Sequence, residues 1–468
     1  MIKLLLFTFL LIQTVILHSQ DIVKNKIDSF LANDSQVDIS VLIYDPISMD
    51  TIYAKDIFNN LIPASNVKLY TVAAALNILG DKDYLYTKVY SDDDIFSDSI
   101  INGNLFIKGF GDAQFTDKNL QQLVDDIYES GIRQIDGNIF ADETYFDKVY
   151  TRDDWIVDER ANVKLPPISG LSLNRNQIVV KFFTNGQVGN SPSYEIEPSG
   201  DFYNATINAK ITSSRSVPRI NFKTSGENIT VQISGGIQKR RNPYSYFVNP
   251  DSHAVFIANL FRYQLEKKGI SIKGKAYAGR TPSSVIEIAS FQNSLMDLVD
   301  RVNKKSDNYL AENLFKIIGA EYSGKEGNSF YATQAVISFL EKYDIFYRGI
   351  EIVDGSGISR FNRVSAASVV SLLEYIYLDI DKFDFYYNSL AIAGEDGTLQ
   401  DRFYQSSAYK NFRGKTGSLN GVSSLSGYLT TKSDRDIIVS IIMNFKSKGQ
   451  NYYRGLQDKI ITYLAENL

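Results

Sequence analysis

Pro63-Ala64-Ser65-Asn66-Val67-Lys68-Leu69-Tyr70-Thr71-Val72-Ala73-Ala74-Ala75-Leu76 is the stretch on which the fold and the chemistry of this chain turn. Alanine and leucine favour helix, proline suits a first turn, and Gly80 stands just past the end. Ser65 therefore falls near the amino end of an apolar helix, with Lys68 one turn on and on the same face. A helix start also leaves backbone N–H groups free for a developing oxyanion. A lysine amine within reach of a serine hydroxyl can serve as its base if burial or a neighbouring cation lowers the amine pKa.

The composition explains why a lysine is needed. The chain has 468 residues, no cysteine and two histidines, His18 and His253. Disulfides, thiolate nucleophiles and cysteine metal centres are thereby excluded. A formal charge of −5 gives no basic excess to suggest nucleic acid. Met1-Ile2-Lys3, the apolar run Leu4 to Leu17 and the polar His18-Ser19-Gln20-Asp21 read as an export leader, residues 1–19, with a retained single-span anchor as the alternative. Loss of the leader leaves His253 as the one histidine. It lies in the turn Asn249-Pro250-Asp251-Ser252-His253, with no nucleophile elbow nearby, and reads as a surface or capping residue. No cysteine is present for a bacterial lipid anchor, and the terminal helix, Tyr452 to Leu464, reads as packed on a sheet, so no stable membrane anchor is expected.

Ser-x-x-Lys by itself is a weak signal. A second copy, Ser407 to Lys410, sits in a polar, turn-like context and is set aside. Two companions give the first copy weight. Lys415-Thr416-Gly417 opens a strand and is followed by Ser418, and Ser306-Asp307-Asn308 lies between helical segments. Their order, Ser-x-x-Lys, Ser-x-Asn, Lys-Thr-Gly, is that of the penicillin-recognising serine enzymes. The long gap from Ser65 to Ser306 coincides with a change of texture. Between about Tyr84 and Ala289, short β-like runs are separated by Gly, Asn, Asp and Ser, with one helical segment, Ala254 to Lys268.

With that gap the chain resembles the D-alanyl-D-alanine carboxypeptidase/endopeptidase family, the type-C low-molecular-mass penicillin-binding proteins. The likeness extends to Gly109-Phe110-Gly111-Asp112, Ser172-Leu173-Asn174-Arg175-Asn176, Asp354-Gly355-Ser356-Gly357-Ile358-Ser359-Arg360 and Ala393-Gly394-Glu395-Asp396-Gly397-Thr398-Leu399. Ala113 departs from it, since the family more often has Gly-Asp-Pro there. The resemblance implies an exported, periplasmic serine peptidase that needs no cofactor or metal. Its partners would be peptidoglycan stem peptides, with β-lactam antibiotics as acylating inhibitors. Ser65 would be the nucleophile, Lys68 its base and Ser306 a proton relay. Asn308 would bind the substrate amide, Lys415 and Thr416 the terminal carboxylate, and the backbone of Ser65 and Ser418 the oxyanion. Across such enzymes the acylation base is assigned either to a lysine or to a serine. A serine β-lactamase or esterase with the same boxes, and a non-catalytic wall-binding protein, are the competing functions.

The expected architecture is α+β: a transpeptidase-like domain, antiparallel sheet flanked by helices, interrupted by a β-rich insertion carrying a nested third domain. The corresponding spans are 20–85 and 290–468, then 86–165 and 246–289, then 166–245. Strands near Val37 to Tyr44, Thr51 to Ala54, Phe412 to Ser418, Ser423 to Thr430 and Asp436 to Asn444 should form the sheet. Helices from Ile22 and Tyr452 should cover one face and the Ser65 helix cluster the other. Asp354 to Gly357 is read as a glycine-rich turn with a helix-capping serine.

Overall fold

The computed structural model describes residues 21–32, 36–80, 82–93, 99–155, 165–225, 228–240 and 243–468. The expected leader, residues 1–19, lies outside them. One six-stranded antiparallel sheet runs in the order Ala391–Ile392, Phe412–Leu419, Val422–Thr430, Asp436–Phe445, Val37–Asp45, Asp50–Lys55. The five long strands are those expected; the short edge strand Ala391–Ile392 was not foreseen.

Strand periodicity divides the core. Along Asp436–Phe445, Ile437, Val439, Ile441 and Met443 face a cluster that includes Val23, Ile27 and Leu31 of the 21–31 helix and Tyr453, Ile460, Ile461 and Leu464 of Gln450–Asn467. Ile438 and Ile442 point the other way, into the cluster built by Val67–Ile78, Leu295–Lys304, Asn308–Ser323 and Ala366–Leu378. Both faces are therefore buried, which is why the strand is apolar at successive positions rather than alternating. Val67–Ile78 is itself apolar all round and enclosed by that cluster, the behaviour expected of a helix with no solvent face.

The chain leaves this unit on Tyr84–Ser91 and returns on its antiparallel partner Ile286–Ser294, where Tyr84 lies opposite Ser294. Ser294 then caps Leu295–Lys304 by accepting from Asp297 N at 3.2 Å. Between the two strands a five-stranded mixed sheet, ordered Ala276–Ala278, Ile139–Asp142, Leu105–Gly109, Tyr84–Ser91, Ile286–Ser294, packs with the helices Asp117–Glu129 and His253–Lys268. Two three-stranded sheets follow within residues 178–248. Their side chains, Val180, Phe182, Ile229 and Val231 among them, belong to the same apolar cluster as Val124 and Phe256, so one core runs through the whole insertion.

Three local expectations need correction. The insertion holds a second long helix, Asp117–Glu129, opened by a reciprocal cap between Thr116 and Asn119. His253 is neither a surface nor a capping residue: Ser252 is the N-cap, and the imidazole is buried with Nε2 2.5 Å from a Glu143 carboxylate oxygen and its ring edge-on to Tyr150. Ser356 lies in the expected turn but starts no helix, because residues 354–360 curl around the Asp354 carboxylate instead.

Candidate active site

Ser65 sits in a one-turn 3-10 helix, Ala64–Asn66, that feeds directly into Val67–Ile78. Ala64 takes a positive φ of 49°, a conformation unfavourable to a side-chain-bearing residue, and its surroundings hold it there. Ser424 Oγ donates to Pro63 O at 2.6 Å. Two glycines close on the turn. A Cβ on Gly417 would lie 2.1 Å from Ser424 Oγ and 2.6 Å from Pro63 O, and one on Gly357 would lie 2.0 Å from Ala64 O. The glycine of Lys415-Thr416-Gly417 is thus what lets its strand lie against the nucleophile turn.

Lys68 is fully buried beneath Ser65. Its Nζ lies 3.0 Å from Ser65 Oγ, 2.7 Å from Asn308 Oδ1 and 2.5 Å from the Ser356 carbonyl. Burial pushes its pKa down to about 8, against Asp354, Glu312 and Asp307, which favour the charged form. A neutral amine, with two N–H groups and one lone pair, matches this set: it donates to Asn308 and Ser356 and accepts from the Ser65 hydroxyl. Burial is the main cause of the shift. The repulsion between the two lysines is felt at Lys415, which burial and then Lys68 hold well below the usual lysine range.

The second box lies in the bend between Leu295–Lys304 and Asn308–Ser323, as its sequence context suggested. Ser306 adopts φ 56°, Asp307 caps the following helix by accepting from Leu310 N at 3.2 Å, and Asn308 begins it. Arg175 of the Ser172–Asn176 segment pairs with Asp307, Arg301 reaches it at 3.7 Å, and Ser172 Oγ lies 2.9 Å from Tyr309 Oη. The insertion therefore clamps the second box from outside.

In the third box Lys415 donates to its neighbour's carbonyl, Thr416 O, at 3.1 Å. Thr416 Oγ1 donates to Thr398 Oγ1 at 2.8 Å, and Gln450 Nε2 donates to Ser418 Oγ at 3.1 Å. Ser65, Ser306, Asn308, Thr416 and Ser418 all line one cavity of about 480 Å³. Ser65, Asn308 and Ser418 also line a second, of about 780 Å³, which continues past Arg360 and Asn420. All seven residues singled out in the sequence thus converge: five on the cavity wall, and Lys68 and Lys415 buried behind it.

Sequence reasoning missed a supporting layer. Asp354 accepts from Gly357 N at 2.8 Å, Ser359 N at 2.7 Å, Asn362 Nδ2 at 2.8 Å and Trp155 Nε1 at 3.1 Å. Glu312 accepts from Ser356 N at 2.7 Å and is pushed up to about 8 by burial and by Asp354. Together they shape the loop whose Ser356 carbonyl meets Lys68. Asp354 stood inside a quoted motif and Glu312 four residues past Asn308, yet the spacing does not show that they meet. Among the described residues no group of three or more His, Cys, Asp or Glu gathers as a metal site. A serine beside a depressed lysine amine, in a cleft with hydroxyl and amide donors, can perform acyl transfer.

Comparison with known proteins agrees. Residues 23–466 match the model of the D-Ala-D-Ala carboxypeptidase 3 (S13) family. The chain is 27% identical over 398 residues to the D-alanyl-D-alanine carboxypeptidase DacB of Haemophilus influenzae, covering 83% of this chain and 81% of that one. It is 29% identical over 444 residues to the D-alanyl-D-alanine carboxypeptidase of Actinomadura sp. (strain R39), covering 91% and 81%. Its fold is similar to the crystal structure of penicillin binding protein 4 from Haemophilus influenzae, with a TM-score of 0.80 at 23% identity over 94% of this chain and 99% of that one. With its boxes assembled and the match spanning nearly all of its length, the chain belongs to the D-Ala-D-Ala carboxypeptidase 3 (S13) family of serine carboxypeptidases.

Proposed function

We propose that this chain is an exported, periplasmic serine D,D-peptidase that cuts peptidoglycan stem peptides at D-Ala-D-Ala, at D-Ala cross-links, or at both, through an acyl-enzyme on Ser65. The observation that carries the reading is the environment of Lys68: a buried amine 3.0 Å from Ser65 Oγ, held by Asn308 and the Ser356 carbonyl. In the first step Ser65 Oγ bonds to the carbonyl carbon of the penultimate D-alanine and its proton passes to Lys68 Nζ. The negative charge collects on the carbonyl oxygen, against the backbone N–H groups of Ser65 and Ser418, where each donor is worth about 3 kcal/mol. The C–N bond then breaks, the amine leaves with a proton relayed through Ser306, and an ester remains on Ser65. Water cleaves that ester, restoring the hydroxyl and releasing the shortened peptide.

Asn308 holds the substrate amide, and Lys415 with Thr416 takes the terminal carboxylate. An anion beside Lys415 restores the charge that burial and Lys68 remove, so carboxylate binding and the state of the lysine pair are linked. A β-lactam presents a carboxylate and a strained amide to the same groups and acylates Ser65. In support, penicillin binding protein 4 of Haemophilus influenzae, whose fold this chain shares with a TM-score of 0.75, has been crystallised with a β-lactam. The leader-like residues 1–19 support export. Residues 20–85 and 290–468 form the catalytic unit in this reading, with 86–165 and 246–289 as the insertion and 166–245 nested within it.

The test is release of D-alanine from a stem-type peptide ending in D-Ala-D-Ala, alongside splitting of a cross-linked dimer. At least one product should form, and Ser65→Ala and prior penicillin treatment should each abolish it. Folded protein that forms neither product overturns the reading.

A further inference from the structure

In the five-stranded sheet of the insertion, Val89, Leu105, Ile107, Ile139 and Ala141 point into the core shared with the helices Asp117–Glu129 and His253–Lys268. The pleat sends alternate residues to the other side, and along Tyr84–Ser91 these are Tyr84, Tyr86, Lys88 and Tyr90. A strand side that only meets water carries polar residues at such positions. Here tyrosine recurs instead, at steps of about 7 Å along the strand. These side chains line a cavity of about 710 Å³, large enough for a whole ligand. Its other walls are Phe110 and Tyr145, edge-on with ring centroids 5.5 Å apart, and Leu79, Ile317 and Glu321 from outside the insertion. Tyr145 Oη donates to Glu321 Oε1 at 2.6 Å, and these two residues also line a second cavity of about 820 Å³. The two cavities make one groove along the seam between the insertion and the rest of the chain, aromatic at one end.

Charge and ring chemistry together define what fits. Lys88 pairs with Glu287 at 2.8 Å, Lys108 with Asp142 at 3.6 Å, Lys82 with Glu321 and Arg280 with Glu326. Lys325, the remaining cation of the groove, is balanced by Asp83. An anionic ligand would have to break these pairs to be held, whereas an uncharged one leaves them intact. The hydroxyls of Tyr84, Tyr86 and Tyr90 make no hydrogen bond among the described residues, and Tyr84 is 42% exposed. A flat ring beside a free hydroxyl suits a ligand that is apolar on its face and polar at its rim. A pyranose has that form, with C–H bonds on its faces and hydroxyl and acetamido groups around its edge. We propose that this groove binds a strand of uncharged N-acetylated amino sugars, with Tyr84, Tyr86 and Tyr90 stacking on successive parts of it. The choice of polymer rests on the proposed function above, in which the peptides to be cut are carried on such a strand. Leu79 ends the helix whose start carries Ser65, so the groove lies about 20 Å from the nucleophile. It therefore holds the polymer and takes no part in breaking the bond.

The experiment titrates penicillin-treated protein, its active site blocked, with a β-1,4-linked hexamer of N-acetylglucosamine in a calorimeter. A hexamer of galacturonic acid is the anionic control. Saturable binding of the first, at least about tenfold tighter than of the second, is expected. The double variant Tyr86→Ala, Tyr90→Ala should weaken it at least about tenfold, and the corresponding Phe variant, which keeps the rings, by less. Tyr84→Ser changes an exposed side chain and serves where the double variant does not fold; it should weaken binding about threefold or more. In every variant the release of D-alanine from a short free peptide should stay within about twofold of wild type, while cleavage of peptides still attached to glycan slows. Wild-type protein that does not bind the first hexamer, or binds both equally, overturns the proposal. Wild-type affinity in both the double Ala variant and Tyr84→Ser does so too. None of these results touches the peptidase reading, which fails only if wild-type protein leaves the short free peptide and a cross-linked dimer uncut.

Discussion

Raising the pH from 7 to 9 should speed acylation by benzylpenicillin about tenfold. Lys68 must be unprotonated to take the Ser65 proton, and burial lowers its pKa to about 8. With that value roughly one molecule in eleven is competent at pH 7 and about ten in eleven at pH 9, so the rate climbs and then levels. The same shift has a stability consequence. A lysine whose folded pKa lies below its unfolded value of 10.5 binds its proton more tightly in the unfolded chain. Lys68 therefore costs about 3 kcal/mol below pH 8, and the cost fades as pH rises from about 8 to 10.5. The assay is the second-order acylation rate with a fluorescent penicillin at constant ionic strength across this range. Lys68→Met should slow it by a factor on the order of 10²–10⁴ and remove its rise with pH. A wild-type profile that is flat, or that falls between pH 7 and 9, refutes the assignment of Lys68 as the base.

Other consequences are equally open to measurement. Gly417→Ala should lower the acylation rate at least about 100-fold and cost roughly 1–3 kcal/mol in urea unfolding, because its Cβ would collide with Ser424 Oγ and Pro63 O and push the strand off the nucleophile turn. Near-normal acylation would mean that the close approach is not needed. Asp354→Asn should slow acylation about tenfold or more by loosening the loop that presents the Ser356 carbonyl, since a neutral amide replaces one carboxylate acceptor. Trp155, the sole tryptophan, donates to Asp354, so its fluorescence should report the same change; an unaltered spectrum with slow acylation would contradict this route. At Glu143, burial raises the carboxyl pKa, but His253, Tyr150 and Ser169 outweigh it and hold the group at about 2. Its stabilisation is lost as pH falls toward 2, so Glu143→Gln should cost about 3 kcal/mol at pH 5 and much less at pH 2. A loss independent of pH would show that the carboxylate charge is not what stabilises the pair.

The parts of this protein legible in the sequence are those whose signal is carried by side-chain types at short spacing. Ser65 with Lys68, Ser306 with Asn308, and Lys415 with Thr416 each declare themselves within a few residues, and the helical or strand context follows from the apolar pattern around them. The continuous apolar run of Asp436–Phe445 was likewise legible as a strand, and its burial at successive positions is that of a strand covered on both faces. What was not legible is contact made by backbone or by distant chain. The acceptor that completes the Lys68 set is a carbonyl from Ser356, and a carbonyl leaves no mark in a sequence. Glu143 and His253 meet only because the insertion folds them together, and the turn residues before His253 pointed instead to the surface. Asp117–Glu129 is a different case. Leu120, Leu123, Val124 and Ile127 keep helical spacing behind Thr116 and Asn119, so the signal existed, but it was diluted by the polar residues of its exposed face.

The central claim is that Ser65, activated by Lys68, is the acylated residue. Intact-protein mass measurement after incubation with benzylpenicillin, followed by peptide mapping, addresses it directly. One added penicillin per chain is expected, located on Ser65 and absent from Ser65→Ala. An adduct that persists in Ser65→Ala, or folded wild-type protein that gains no mass, would contradict it.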